Sequence, residues 1–154
     1  MAQLARQQDL DVEVDFHGFC LQEADDDFVP VEYPEGRVGE KFLTAHQGRL
    51  DIESAGHTHT ASLTVEIWDG EPPADDRLAW EAQGEAELHS TTGELAVWGV
   101  AAGRGVEDVF LDGKEADWAV RVYCAGRVEV ERLSRESVPE GIERYLAQFW
   151  PRQA

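Results

Sequence analysis

Two histidines two residues apart, His57 and His59, are the arrangement in this chain that most resembles metal chemistry. Side chains two apart on a β-strand point the same way, so both imidazoles could reach one ion, with Glu66 and His89 supplied from neighbouring strands. The blander reading, which the sequence favours, makes Gly56 to Thr60 a polar turn with two solvated histidines and expects no cofactor. Nucleophilic chemistry has less support. Ser54, Ser62, Ser90, Ser134 and Ser137 lie in no Gly-x-Ser-x-Gly context, and Gly103-Arg104-Gly105 lacks the third glycine and the strand-to-helix setting of a phosphate loop. Cys20 and Cys124 form no Cys-x-x-Cys pair and suit core positions of strands. Carboxylates are too numerous for any one pair to be diagnostic, so the chain reads as a non-enzymatic protein.

Charge points to binding instead. The 154 residues carry 32 acidic against 13 basic side chains, a net charge of −19. Eleven acids and only Arg37 among the bases fall between Asp9 and Glu40; nine acids and only Arg77 fall between Glu66 and Glu94. Such a molecule repels nucleic acid and anionic membrane and attracts a basic protein, although solubility alone also explains acidic chains. No apolar run approaches the roughly 20 residues of a membrane span, and residues 1–8 have no apolar run, so a soluble, cytoplasmic protein is expected.

Alternation of period two dictates the elements that would position these groups. Leu10, Val12, Val14 and Phe16 alternate with acids; Leu63, Val65 and Ile67 alternate with Thr64, Glu66 and Trp68; Leu78 through Leu88 and Leu95 through Gly99 form a hairpin about Ser90-Thr91-Thr92-Gly93; Trp118 through Cys124 form another strand, which Val128 and Val130 would extend. Ser137-Val138-Pro139-Glu140 has capping-box spacing, so a turn of helix before a last strand at Tyr145 to Trp150 is expected. About eight short strands with at most a short helix near the C-terminus give an all-β, antiparallel β-sandwich spanning 10–151 between tails 1–9 and 152–154, with a closed barrel as runner-up. One domain accounts for this length.

Phase then separates the tryptophans. Trp80 and Trp118 fall with core residues, whereas Trp68 and Trp98 fall opposite Ile67 and Val97, either under a loop or exposed as anchors for a partner. Trp68 and Trp98, rimmed by Glu66, Asp69 and the solvated loop Glu23 to Asp27, are therefore the expected partner-binding set, with Asp25, Asp26 and Asp27 as the carboxylates of that loop expected to meet the partner. In order and character, Val14-Asp15-Phe16-His17-Gly18-Phe19, Gly48-Arg49-Leu50-Asp51-Ile52, Leu63-Thr64-Val65-Glu66-Ile67 and Leu95-Ala96-Val97-Trp98-Gly99 resemble the competence protein J family over residues 10 to 125. The resemblance implies a small acidic β-protein of the inhibitor or immunity type, with a nuclease or toxin as partner and no catalytic residues to carry over. The acidic run Glu23 to Asp27 and the tail from Ser134 have no counterpart in it.

Overall fold

Eleven strands are present in a computed structural model that describes residues 1–38 and 41–152. Gly39 and Glu40, the latter ending the first acidic stretch, and Gln153 and Ala154 of the expected C-terminal tail lie outside the described residues. The strands are β1 (Leu4–Val14), β2 (Gly18–Glu23), β3 (Leu43–His46), β4 (Arg49–Glu53), β5 (His59–Trp68), β6 (Ala82–Ser90), β7 (Glu94–Gly99), the short β8 (Gly103–Arg104) and β9 (Val109–Phe110), β10 (Ala116–Ala125) and β11 (Glu140–Pro151). One helix, α1 (Arg127–Leu133), lies between β10 and β11.

The first sheet has the order β1-β5-β11-β10-β6; the second has β3-β4-β2-β7-β8, with β9 also on β7. Every pairing is antiparallel except β11 with β5, which runs parallel. A parallel neighbour needs a long return, and the chain completes β6 to β10 and α1 on the way from β5 to β11. The architecture is the all-β sandwich expected from the alternation. Val12, Leu63, Val65, Val120, Val122 and Phe149 of the first sheet meet Phe19, Leu21, Leu50, Ile52, Leu95 and Val97 of the second in one apolar core. No helix among the described residues is long and apolar enough to cross a membrane.

Several elements differ from the sequence reading, each for a physical reason. The alternation that begins at Leu78 enters a strand only at Ala82. Before it, Asp75 accepts from the Arg77 N–H (3.1 Å) and the Trp80 indole (2.9 Å), folding the segment on itself, and Trp80 packs on Tyr123 at 5.2 Å outside the core. Val128 and Val130 do not extend β10. Gly126, at φ +80°, turns the chain where a Cβ would sit 2.1 Å from the Ile142 carbonyl, and α1 follows. The α1 N-terminus is held by the distant Glu81 carboxylate, which accepts from the Gly126, Arg127 and Val128 N–H groups at 2.6, 3.1 and 3.0 Å. Ser137 to Glu140 is not helical, since Glu140 already opens β11. Phe16 and His17 are left-handed (φ 50° and 63°) in the tight β1–β2 turn, where Asn-Gly would be the easy choice.

Part of the outer face of each sheet is buried as well, under a strap. Residues 70–81 cross the first sheet: Arg121 reaches Glu71 (2.8 Å) and the Pro72 carbonyl (3.2 Å), while Arg77 reaches Glu66 (2.8 Å). Residues 28–38 cross the second: the Tyr33 N–H donates to Gln22 (3.0 Å), and Arg49, paired through two 2.6 Å bonds with Asp51, donates to the Val31 carbonyl (2.7 Å) beneath the Tyr33 ring. Polar residues can occupy these positions because each finds a partner.

Core packing should show in stability. Trp118 is 2% exposed, packs edge-on against Phe149 at 6.4 Å, and leaves its indole N–H without a partner. Trp118→Ala is expected to cost about 3–5 kcal/mol in urea unfolding. Trp118→Phe should cost clearly less, because it also removes an unsatisfied buried donor.

Candidate functional site

One end of the sandwich gathers the loops after β2, between β6 and β7, and before β10, and a buried carboxylate organises them. Glu23, the first acid of the Glu23 to Asp27 run, is fully buried. It accepts from Ser90 Oγ (2.5 Å), Thr92 Oγ1 (2.7 Å) and the N–H groups of Asp25 (2.7 Å), Thr91 (2.8 Å) and Thr92 (3.1 Å). Burial by itself raises the carboxyl pKa, but the hydrogen bonds from Ser90, the Asp25 N–H and Thr92 outweigh it and hold the group below the usual carboxylate range. Glu23 is therefore a clamp for the β6–β7 turn, which corrects its placement in a solvated loop. Asp25 is half-buried and caps a short 3-10 turn by accepting from the Asp27 N–H at 3.1 Å. Asp26 and Asp27 remain exposed.

Around them stand further carboxylates. Phe28 ends the turn with its ring 5.3 Å from His89, whose nitrogens contact Asp117 (2.6 Å) and Glu115 (2.9 Å). Hydrogen bonds to Glu115 and then Asp117 raise the His89 pKa above its ordinary value. The Ala24 N–H donates to the Glu94 carbonyl, and the Leu111 N–H to that of Gly93, so Glu94 and Asp112 belong to the same end. Asp26, Asp27, Glu94, Asp112, Glu115 and Asp117 are all exposed there, against Lys114 and His89. The surface is strongly anionic and is set on turns that buried groups hold in place.

The tryptophan part of the expected set is divided. Trp68, on β5, lies on the outer face of the first sheet, half-buried, its indole N–H on Glu66 at 3.0 Å. Trp98, on β7, lies half-buried on the outer face of the second sheet, so the two face away from each other across the core. Glu66 is 1% exposed and is held by Arg77, Trp68 and Gln148, leaving it no free oxygen for a rim. Asp69 is exposed and accepts from the Gln3 N–H at 2.7 Å. Of the expected set, then, Asp25, Asp26 and Asp27 share one end, and the others are elsewhere.

The four residues of the metal alternative are not brought together. His57 is exposed in the β4–β5 turn beside Phe16 and His17, at 5.0 and 5.2 Å between ring centres, whereas His59 is buried at the start of β5. Glu66 lies seven residues along that strand, and His89 is committed to Glu115 and Asp117. Among the described residues no group of three or more His, Cys, Asp or Glu side chains is arranged to hold a metal ion.

The buried partner of His59 is one that sequence reasoning missed. Ser54 Oγ donates to Glu143 (2.6 Å) and lies 2.7 Å from His59 Nε2; the Tyr145 hydroxyl (2.6 Å) and the Ala55 N–H (3.0 Å) also donate to Glu143. Because the serine proton goes to Glu143, the His59 proton must sit on Nε2, facing Ser54, and Nδ1 has no partner. A catalytic triad needs the reverse, an unprotonated Nε2 toward serine and the acid on Nδ1. The group is buried and ties the β4–β5 turn to β11. Burial raises the Glu143 pKa, but the bonds from His59, Ser54, Tyr145 and Ala55 prevail and lower it. Cys20 and Cys124 are free, buried and pushed upward in pKa by burial.

No family model matches the chain, and no curated protein matches it in sequence. Solved structures do match. ComJ from Bacillus subtilis, the inhibitor of the DNA degrading activity of NucA, superposes with a TM-score of 0.64 at 14% identity over 99% of both chains. The chain has the fold of ComJ. The crocagin biosynthetic gene J product superposes with a TM-score of 0.58 at 9% identity, again over 99% of both. The fold resemblance covers the acidic run and the C-terminal segment as well as residues 10 to 125.

Two measurements test this end. Glu23→Gln should cost about 2–4 kcal/mol at neutral pH, because two hydroxyls and three N–H groups lose a charged acceptor. Since the folded pKa is depressed, that stabilisation is complete above the unfolded value near 4.3 and is lost as pH falls through the folded one, so urea midpoints of the two proteins should converge in acid. In an NMR titration, His89 should protonate at a higher pH than the 6.5 of an ordinary histidine, and Glu115→Gln with Asp117→Asn should bring it down.

Proposed function

We propose that this chain is a non-enzymatic binding protein, an inhibitor or immunity-like protein that recognises a basic protein such as a nuclease or toxin. The observation that carries the reading is the end-to-end fold likeness to an inhibitor of a DNA-degrading activity. The anionic end supports it. Asp26, Asp27, Glu94, Asp112, Glu115 and Asp117 lie there on turns fixed by Glu23 and His89, so a basic partner meets a preformed surface. Trp68 and Trp98 face opposite ways, and one docking surface cannot use both as anchors; Phe28, beside His89, is an aromatic ring at this end.

Long-range attraction decays over about 8 Å at physiological salt, so its benefit falls mainly on the association rate. The test is affinity capture on the immobilised chain from its own cells, followed by stopped-flow association and an activity assay of the captured protein. The expected partner is basic and loses its activity at one equivalent of the chain. Asp26→Asn with Asp27→Asn should slow association and flatten its salt dependence while leaving the thermal midpoint nearly unchanged. An acidic partner, or an association rate indifferent to salt between about 50 and 500 mM, would refute the electrostatic mechanism.

A further inference from the structure

The outer face of the first sheet holds a groove that the acidic end does not use. It has a volume of about 450 Å³, within the range of small-ligand sites. The strap supplies one wall through Arg77, Leu78 and Trp80; β5 and β11 supply Ser62, Thr64 and Arg144.

Its charge is opposite to that of the protein. Eight arginines, at 49, 77, 104, 121, 127, 132, 135 and 152, hold a carboxylate within 4 Å. Arg144 is exposed on β11 and forms no ion pair or side-chain hydrogen bond among the described residues. Arg77 is committed to Asp75 through Nε and to Glu66 through Nη2, so the uncompensated cation of the groove is Arg144.

The apolar wall has room for a ring. Trp80 rests one side on Tyr123 at 5.2 Å and turns its indole N–H to Asp75, and Leu78 is 37% exposed beside it. At the β11 end, Gly141 has open space where a side chain would stand. We propose that this groove binds a small organic anion carrying an aromatic ring, with the anion on Arg144 and the ring against Leu78 and Trp80. Guanidinium recognises carboxylate, sulfonate and phosphate oxygens alike through paired N–H groups, and the ring supplies the buried apolar area.

The probe is 8-anilinonaphthalene-1-sulfonate, an aromatic anion whose fluorescence rises on leaving water, with the uncharged N-phenyl-1-naphthylamine as control. The folded wild-type chain is expected to bind the sulfonate saturably at one dye per chain. Arg144→Gln should weaken it about tenfold, as loss of a charged hydrogen bond does. The same variant should leave the weaker binding of the neutral dye unchanged, and Leu78→Glu should weaken both. Circular dichroism and the urea midpoint should be those of wild type in Arg144→Gln, since that side chain supports no neighbour. Non-saturable sulfonate binding, equal affinity for the two dyes, or sulfonate affinity unaltered by Arg144→Gln would each overturn the proposal.

Discussion

Backbone N–H groups left over at turns are the constraint on which this fold depends, and carboxylates satisfy them. Asp15 accepts from Val100, Ala101 and Ala102 at 2.6, 2.8 and 2.9 Å; Glu23 holds the β6–β7 turn; Glu81 holds the start of α1. An ionised carboxylate accepts several donors at once, which suits it to a turn where successive N–H groups converge. Each of these bonds joins positions at least 45 residues apart in sequence, Glu81 to Gly126 being 45 and Asp15 to Val100 being 85. Part of the negative charge is thus structural, and it is what remains after these residues are set aside that can meet a partner.

The same economy shapes the outer faces of the sheets. Each sheet buries apolar residues inward, and each also buries polar residues outward beneath a strap. Arginine is the residue that makes this possible: Arg49 binds Asp51 through two nitrogens and still donates to Val31, and Arg121 binds Glu71, Glu85 and the Pro72 carbonyl. The planar fork of guanidinium satisfies several acceptors in one place, where a lysine would satisfy them less directionally. With most arginines committed in this way, the exposed carboxylates at the β2, β6–β7 and β10 loops have few cations near them.

The Ser54, His59 and Glu143 group shows why residue types alone do not define a site. The composition is that of a nucleophilic triad, yet the proton order is reversed and solvent has no access. Its role follows from its links: Glu143 connects β11 to Ser54 and Ala55, and so fixes the parallel β5–β11 pair at the end where that pair begins.

The sequence by itself determined the all-β class and most of the core, because inward and outward positions alternate with period two wherever one sheet face is apolar: Leu10 to Val14, Leu63 to Ile67 and Trp118 to Cys124 all follow it. It also placed Asp25, Asp26 and Asp27 at a loop. Alternation could not tell a strand from a strap, since Leu78 and Trp80 keep the period while covering an outer face. A short helix near the C-terminus was legible, but its position at Arg127–Leu133 was not, because its N-terminal acceptor is Glu81, 45 residues before Gly126. Only the tertiary structure decided that Glu23 is buried while Asp26 and Asp27 are exposed, that Trp68 and Trp98 face apart, and that His57 and His59 occupy different environments. Each of those outcomes depends on which distant chain segment supplies a hydrogen-bond partner or covers a face, and local periodicity carries no record of it.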